Sequence, residues 1–222
     1  MRTKKMIEFK KLPPLMSLIQ YKKQVKEDLV KTSKLLESFK DKDNLRKQLA
    51  SEQGFLCAYC MNRIDINKSK IEHFFSQSNY PENQLDYDNL LLCCSGNKGA
   101  PEKNQHCDTR KKDSDIKYNP SNFSVSDYIG YNDYDGSIFS KDPAWDKELN
   151  EILNLNFNRL KKDRKAKILA VEQVLNSDKG LRTPSQIQKL IHKCASRNTA
   201  GELSPYYGVE LFKLKKHSNY KK

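Results

Sequence analysis

Long apolar runs are missing from this 222-residue chain. None approaches the roughly 18 consecutive apolar residues that a membrane-spanning helix needs, so no membrane partner is expected. The opening MRTKKMIEFKKLPPL is basic but has no apolar h-region, which predicts no secretory signal and a cytoplasmic location. Glycine is scarce, at 8 residues, which argues against a barrel or sandwich full of tight turns and for helices. Acidic residues are outnumbered, 28 Asp and Glu against 41 Lys and Arg, giving a formal charge of +13. That surplus points to a polyanionic partner such as nucleic acid, because each neutralised phosphate releases counterions. Cysteine is not scarce: there are 6, and all but Cys194 fall between Cys57 and Cys107. In a cytoplasmic chain that clustering favours metal ligation over disulfides.

Three zones follow one another, at 1–53, 54–120 and 121–222. In the first, apolar residues recur at helical spacing from Leu15 to Phe39, predicting one long helix or two, and a further short helix runs from Asp43 to Ser51 and stops at Gly54. The middle zone trades Lys/Glu faces for Cys, His, Asn and Asp. Phe55-Leu56-Cys57 and Ile71-Glu72-His73 read as short extended pieces, Leu90-Leu91-Leu92 as a short apolar run, and Thr109 to Asp115 as a basic helical turn or two. In the third zone a short strand is expected near Ser137-Ile138-Phe139. A long helical pattern then follows Pro143 through Leu175, and another helix starts at Thr183-Pro184 with Thr183 as N-cap. The basic run from Arg159 to Lys167 reads as a solvated helix face.

Cys57-Ala58-Tyr59-Cys60 places two thiolates at a spacing that suits tetrahedral Zn²⁺. A redox pair would call for a thioredoxin-like βαβ context, which does not follow. Two further ligands must come from Cys93, Cys94, His106 and Cys107. Successive side chains in extended chain point apart, so one of Cys93 and Cys94 is expected to be a bystander, and likewise one of His106 and Cys107. Between the two halves lies Glu72-His73. On a strand these side chains project to opposite sides, allowing the carboxylate to hold a hard cation while the imidazole acts as general base. Taken alone, the pair also reads as a surface glutamate beside a half-buried histidine.

The order Cys-x-x-Cys, Glu72-His73, Leu85-Asp-Tyr-Asp-Asn89-Leu90, then Cys107-Asp-Thr-Arg-Lys resembles the HNH nuclease family over Cys57 to Lys111. The resemblance implies an α+β, mostly α-helical protein with a central zinc-stabilised ββα-metal core between N- and C-terminal helices. It also implies His73 as the water-activating base, Asn89 as its support and Glu72 as a metal ligand. The last histidine of the family's motif is not matched, and Asp108 is the nearest candidate ligand. Lys98, Arg110, Lys111 and Lys112 are candidate phosphate contacts.

The stretch Glu72-His-Phe-Phe-Ser-Gln-Ser78, the separated "C-S-G-N … H-C-D … K" and the C-terminal Ser204-Pro-Tyr-Tyr-Gly-Val-Glu-Leu-Phe212 look like PtuB-type HNH proteins. Those are effectors of Septu and retron-linked anti-phage systems. In that type a loop separates the last two zinc ligands, which implies Cys94 and Cys107 as partners of Cys57 and Cys60. A catalytic Mg²⁺ or Mn²⁺ is implied, and so are a PtuA-type ATPase and, in retron versions, a reverse transcriptase with its multicopy single-stranded DNA. The competing expectation is a zinc-structured module that binds nucleic acid or docks a partner without catalysis.

Overall fold

Helix formation begins behind the Pro13-Pro14 pair, in a computed structural model that describes residues 9–29, 31–32, 34–121, 127–177 and 182–220. The opening MRTKKMIE lies outside the described residues. Helix α1 (Met16–Gln24) buries Leu18, a 3₁₀ turn covers Lys26–Asp28, and α2 (Leu35–Ser38) is a single turn. The pattern from Leu15 to Phe39 is therefore cut in two, and one buried side chain accounts for the break. The Gln84 amide donates to the carbonyls of Leu29 (2.8 Å) and Thr32 (2.6 Å), and its oxygen accepts from Leu35 N (3.0 Å). Backbone groups that would bond along a continuous helix are spent on Gln84 instead.

Helix α3 (Lys42–Glu52) puts Leu45, Leu49 and Ala50 into the core. It stops where Gly54 (φ 60°) and Phe55 (φ 61°) take left-handed conformations in succession, sending the chain into the first cysteine turn. The extended piece expected at Phe55–Cys57 is reduced to one bridge, Leu56 to Arg63.

Strands β1 (Lys70–His73) and β2 (Leu90–Cys93) pair antiparallel, with Glu72 opposite Leu91 and His73 opposite Leu90. All four β2 residues are fully buried, as an apolar run covered on both faces requires. The second edge of β2 is also satisfied: the Gln53 side chain exchanges two hydrogen bonds with Leu92, each 2.7 Å, and Ala58 N donates to Leu92 O. Helix α4 (Cys107–Lys111) follows.

Beyond it, β3 (Ile129–Tyr131) pairs with β4 (Ile138–Ser140). Helix α5 (Pro143–Lys147) is capped by Asp142 and runs into a π turn at Glu148–Ile152. The apolar pattern after Pro143 is thus interrupted before α6 (Asn158–Asn176), with Asn154 at φ 48°. The interruption is a grip on the middle zone. Leu153 O accepts from Cys107 N (2.9 Å), and the Asn154 amide donates to the carbonyls of Lys103 and Gln105. Helix α7 (Pro184–Cys194) opens with a capping box between Thr183 and Gln186. Helix α8 (Tyr207–Lys215) buries Val209, Leu211 and Leu214 and packs against α6 and α7. One contiguous apolar cluster runs through all three zones, from Phe9 to Leu214. Among the described residues no helix is long and apolar enough to cross a membrane.

A side chain at position 54 would meet the Leu203 side chain at 2.5 Å from its Cβ, at a φ that only glycine adopts without strain. Gly54→Ala should lower unfolding free energy by about 1–2 kcal/mol, measured by urea titration.

Candidate metal centre and catalytic site

Four thiols converge beneath the β1–β2 pair. The first two come from a tight turn in which Met61 N donates to Cys57 O (3.0 Å) and Cys57 N to Asn62 O (2.9 Å). Cys94 directly follows β2, and Cys107 opens α4. The gap between these last two is closed at its base, where His106 N donates to Gly96 O (3.1 Å). Gly96 sits at φ 56°, and a Cβ there would lie 2.2 Å from His106 O, so only glycine permits the pinch. The loop between is stitched by Asn97 to Asn104 O and by Gln105 to Ala100 O, each 2.8 Å.

The Sγ atoms of Cys57, Cys60, Cys94 and Cys107 all lie within 4.8 Å of one another. Cys57–Cys107 and Cys60–Cys94 are each 3.9 Å apart, close to the ~3.8 Å edge of a sulfur tetrahedron with metal–sulfur bonds of ~2.3 Å. The group could hold a metal ion. Cys93 lies outside it, fully buried on β2, and burial pushes its thiol well up. The Cys94 thiol is pulled down to about 7, chiefly by its hydrogen bond with Cys107. His106 is neither remote nor in the group: its Nδ1 is 3.2 Å from Cys107 Sγ, and its ring stacks on Phe157. With a metal on Cys107 the Nδ1–H would be the donor to the sulfur and would moderate its charge.

Strand β1 presents Glu72 and His73 at successive positions, both buried. Asp108 meets Glu72 from the first turn of α4, so the pinched loop that delivers Cys107 delivers Asp108 as well. The two carboxyls are near enough for each to shift the other's pKa. Burial, and then Asp108, push the Glu72 carboxyl well up, while Lys111 opposes them. For Asp108 burial works against the charge, but the hydrogen bond from Glu72 and the ammonium groups of Lys70 and Lys111 outweigh it and hold its carboxyl low. Tyr59, from inside the Cys-x-x-Cys turn, donates to Glu72 Oε1 (2.9 Å). A buried carboxyl and a half-buried one held close together are oxygen donors of the kind that suit a hard divalent cation.

Lys111 differs from its expected role as a surface phosphate contact. It is 0 % exposed, its Nζ lies 3.0 Å from Glu72 Oε1, and it donates to His73 O (3.2 Å). Three residues on from Asp108, it shares that residue's helix face, and the burial of β1 draws it in. Lys70 pairs with Asp108 and donates to Thr109. Lys98 is exposed, and Arg110 and Lys112 both engage Glu102, at 3.2 Å and 2.9 Å.

The imidazole of His73 is oriented by a main-chain group. Its Nε2 is 2.9 Å from Gln84 O; a carbonyl only accepts, so Nε2 carries the proton and Nδ1 is the free base. Burial holds its pKa below the ordinary imidazole value. The Asn89 side chain, expected to support this histidine, makes its hydrogen bonds elsewhere. Its Oδ1 accepts from Phe75 N (2.8 Å), and its Nδ2 donates to Phe75 O and Asn83 O, each 3.0 Å. Asn89 clips the chain that follows His73; Gln84 orients the histidine. Gln84 carries no sequence signal for this, because a backbone carbonyl does the work. Lys111 and Tyr59 could have been flagged by their spacing from Asp108 and Cys60.

The geometry is therefore a four-thiol metal-type group supporting a hairpin and helix that carry an oriented histidine next in sequence to one of two neighbouring carboxyls. No protein-family model matches the chain. It is similar to a protein of Vibrio cholerae serotype O1 biovar El Tor named "Retron Vc95 putative HNH endonuclease", 27 % identical in a 144-residue alignment that covers 61 % of this chain and 68 % of that protein. That likeness supports kinship with the HNH endonuclease family.

Cys94→Ser should abolish stoichiometric metal binding and Cys93→Ser should retain it, with metal content read by elemental analysis of the purified variants. The opposite pattern would reassign the ligands.

Proposed function

We propose that this protein is a metal-dependent HNH nuclease that hydrolyses phosphodiester bonds of nucleic acid, acting as the effector subunit of an anti-phage defence complex. One observation carries the reading: a buried, neutral His73, with Nδ1 left as base, stands next in sequence to a carboxyl that is paired with a second one from α4. The likeness to a retron protein named as an HNH endonuclease supports it, and so does the +13 charge.

In this reading Cys57, Cys60, Cys94 and Cys107 hold a structural Zn²⁺, whose preference for four sulfurs fits the group. Glu72 and Asp108 hold Mg²⁺ or Mn²⁺, which when bound supplies positive charge to the phosphorane and the leaving oxygen. His73 Nδ1 removes the proton from the attacking water, while Gln84 keeps Nε2–H in place so that the ring cannot turn. Asn89 acts one step away, by fixing the chain from Phe74 to Phe75. Lys98, Arg110 and Lys112 give the phosphate backbone a positive flank, and Lys111 tempers the charge of Glu72. The PtuB-type resemblance extends the proposal to a PtuA-type ATPase and a retron reverse transcriptase with its multicopy DNA as partners, in the cytoplasm. The zones 1–53 and 121–222 then serve as helical flanks that complete the core of 54–120 and dock the ATPase.

A non-catalytic, zinc-structured binding subunit is the second reading. It is favoured by the ammonium groups of Lys70 and Lys111, which already neutralise the two carboxylates. Cleavage of plasmid DNA and total RNA, with Mg²⁺ or Mn²⁺ and with the partner ATPase present, separates the two. His73→Ala should lose cleavage by a factor of at least about 100 while keeping its zinc and circular dichroism. Retained metal-dependent cleavage would sink the catalytic assignment.

A further inference from the structure

Beside the candidate site, α1 and the 83–89 segment enclose a groove of about 830 Å³. Its floor is apolar, including Leu18, Leu29 and Leu85, and its walls include Lys22, Lys23, Lys26, Asn89 and Phe75. Phe75 is 42 % exposed, and its main chain is held at both N and O by one buried side chain, Asn89. Its ring is braced edge-on by Phe74 and Tyr80, with centroids 4.9 and 5.2 Å away. A ring held in this way loses little conformational freedom when a flat partner stacks on it.

The charges are distributed to match. Lys22 pairs with Asp86, so those two groups offset each other. Lys23 and Lys26 are exposed and form no ion pair with a described residue; Asp88 is the remaining acid of the lining. An apolar trough with one rigid, open aromatic face and free ammonium groups on its rim is complementary to a polyanion with accessible base faces. Duplexes keep those faces inside the stack, whereas an unpaired strand offers them.

We propose that this groove binds a single-stranded segment of nucleic acid, with Phe75 stacked on an unpaired base and Lys23 and Lys26 on backbone phosphates. The inference rests on the nuclease reading for its purpose, since Phe75 lies two residues beyond His73 and the bound strand would lead to that histidine. The occupant is recognised by stacking and charge, so DNA and RNA strands share the chemistry, and the test carries an arm for each.

The experiment uses the full chain carrying His73→Ala, so that cleavage does not enter. Fluorescence anisotropy is read with labelled 20-nucleotide single-stranded DNA, the matching RNA, and the DNA duplex. Adding Phe75→Ala should weaken single-strand binding about tenfold and duplex binding less than about twofold. Lys23→Gln with Lys26→Gln should weaken single-strand binding about tenfold and flatten its salt dependence by about one to two units of slope. Adding Phe75→Leu, which keeps apolar bulk without an aromatic face, should behave like Phe75→Ala and checks that loss of stacking, not misfolding, is read. Unchanged single-strand affinity, or an equal loss for the duplex, would overturn the proposal. A chain with histidine at position 73 that binds single strands in this way yet never cleaves would sink the nuclease reading and leave the groove assignment standing.

Discussion

The convergence of four sulfur atoms from three separate pieces of chain is the constraint on which the rest depends. Cys57 and Cys60 come from the turn after α3, Cys94 from the end of β2 and Cys107 from the start of α4. A small ββα arrangement buries little apolar area of its own. Tying these segments at one point fixes the register of the hairpin relative to α4 and sets Asp108 and Lys111 against β1. The neighbouring elements reinforce the point: Leu153 caps the Cys107 amide, and Asn154 holds the loop between the cysteines.

A second organising feature is the balance of charge beneath the hairpin. Glu72 and Asp108 are brought together inside the fold, a costly arrangement unless protons, ammonium groups or a cation compensate. Lys70 and Lys111 provide that compensation in the structure, and Tyr59 supplies a hydrogen bond. The same lysines would have to yield or share as a divalent cation arrives. Under the proposed function, affinity for that cation would be set by these lysines as much as by the carboxylates. His73 is oriented by the Gln84 carbonyl and still feels this balance, since Asp108 favours its charged form and Lys111 opposes it.

Much of the middle zone was legible in the sequence. The Cys-x-x-Cys spacing, the Glu-His step on a strand and the buried Leu90–Leu92 run each follow from local periodicity. Choosing Cys94 over Cys93 did not follow from spacing, and came only from the family resemblance. In three dimensions it depends on Gly96, whose positive φ pinches the loop so that Cys107 reaches the chain just beyond β2. Other features were hidden for a different reason. The breaks in the two long helical patterns come from distant polar side chains, Gln84 in one case and Asn154 in the other, capturing backbone groups. The hydrogen bonds of Asn89 to Phe75 and Asn83, which hold the chain after His73, have no local sequence sign. Lys111 looked like surface, because a lysine in a basic run carries no local sign that tertiary structure will bury it against a carboxylate.

The central claim is that four cysteine sulfurs, and no nitrogen or oxygen, hold one metal ion that organises the site. X-ray absorption at the zinc K-edge of the purified protein tests it most directly. The account predicts a first shell of four sulfurs at about 2.3 Å, with no light-atom scatterer near 2.0 Å. A shell containing a nitrogen, as ligation by His106 would give, or one with fewer than four sulfurs, would contradict it.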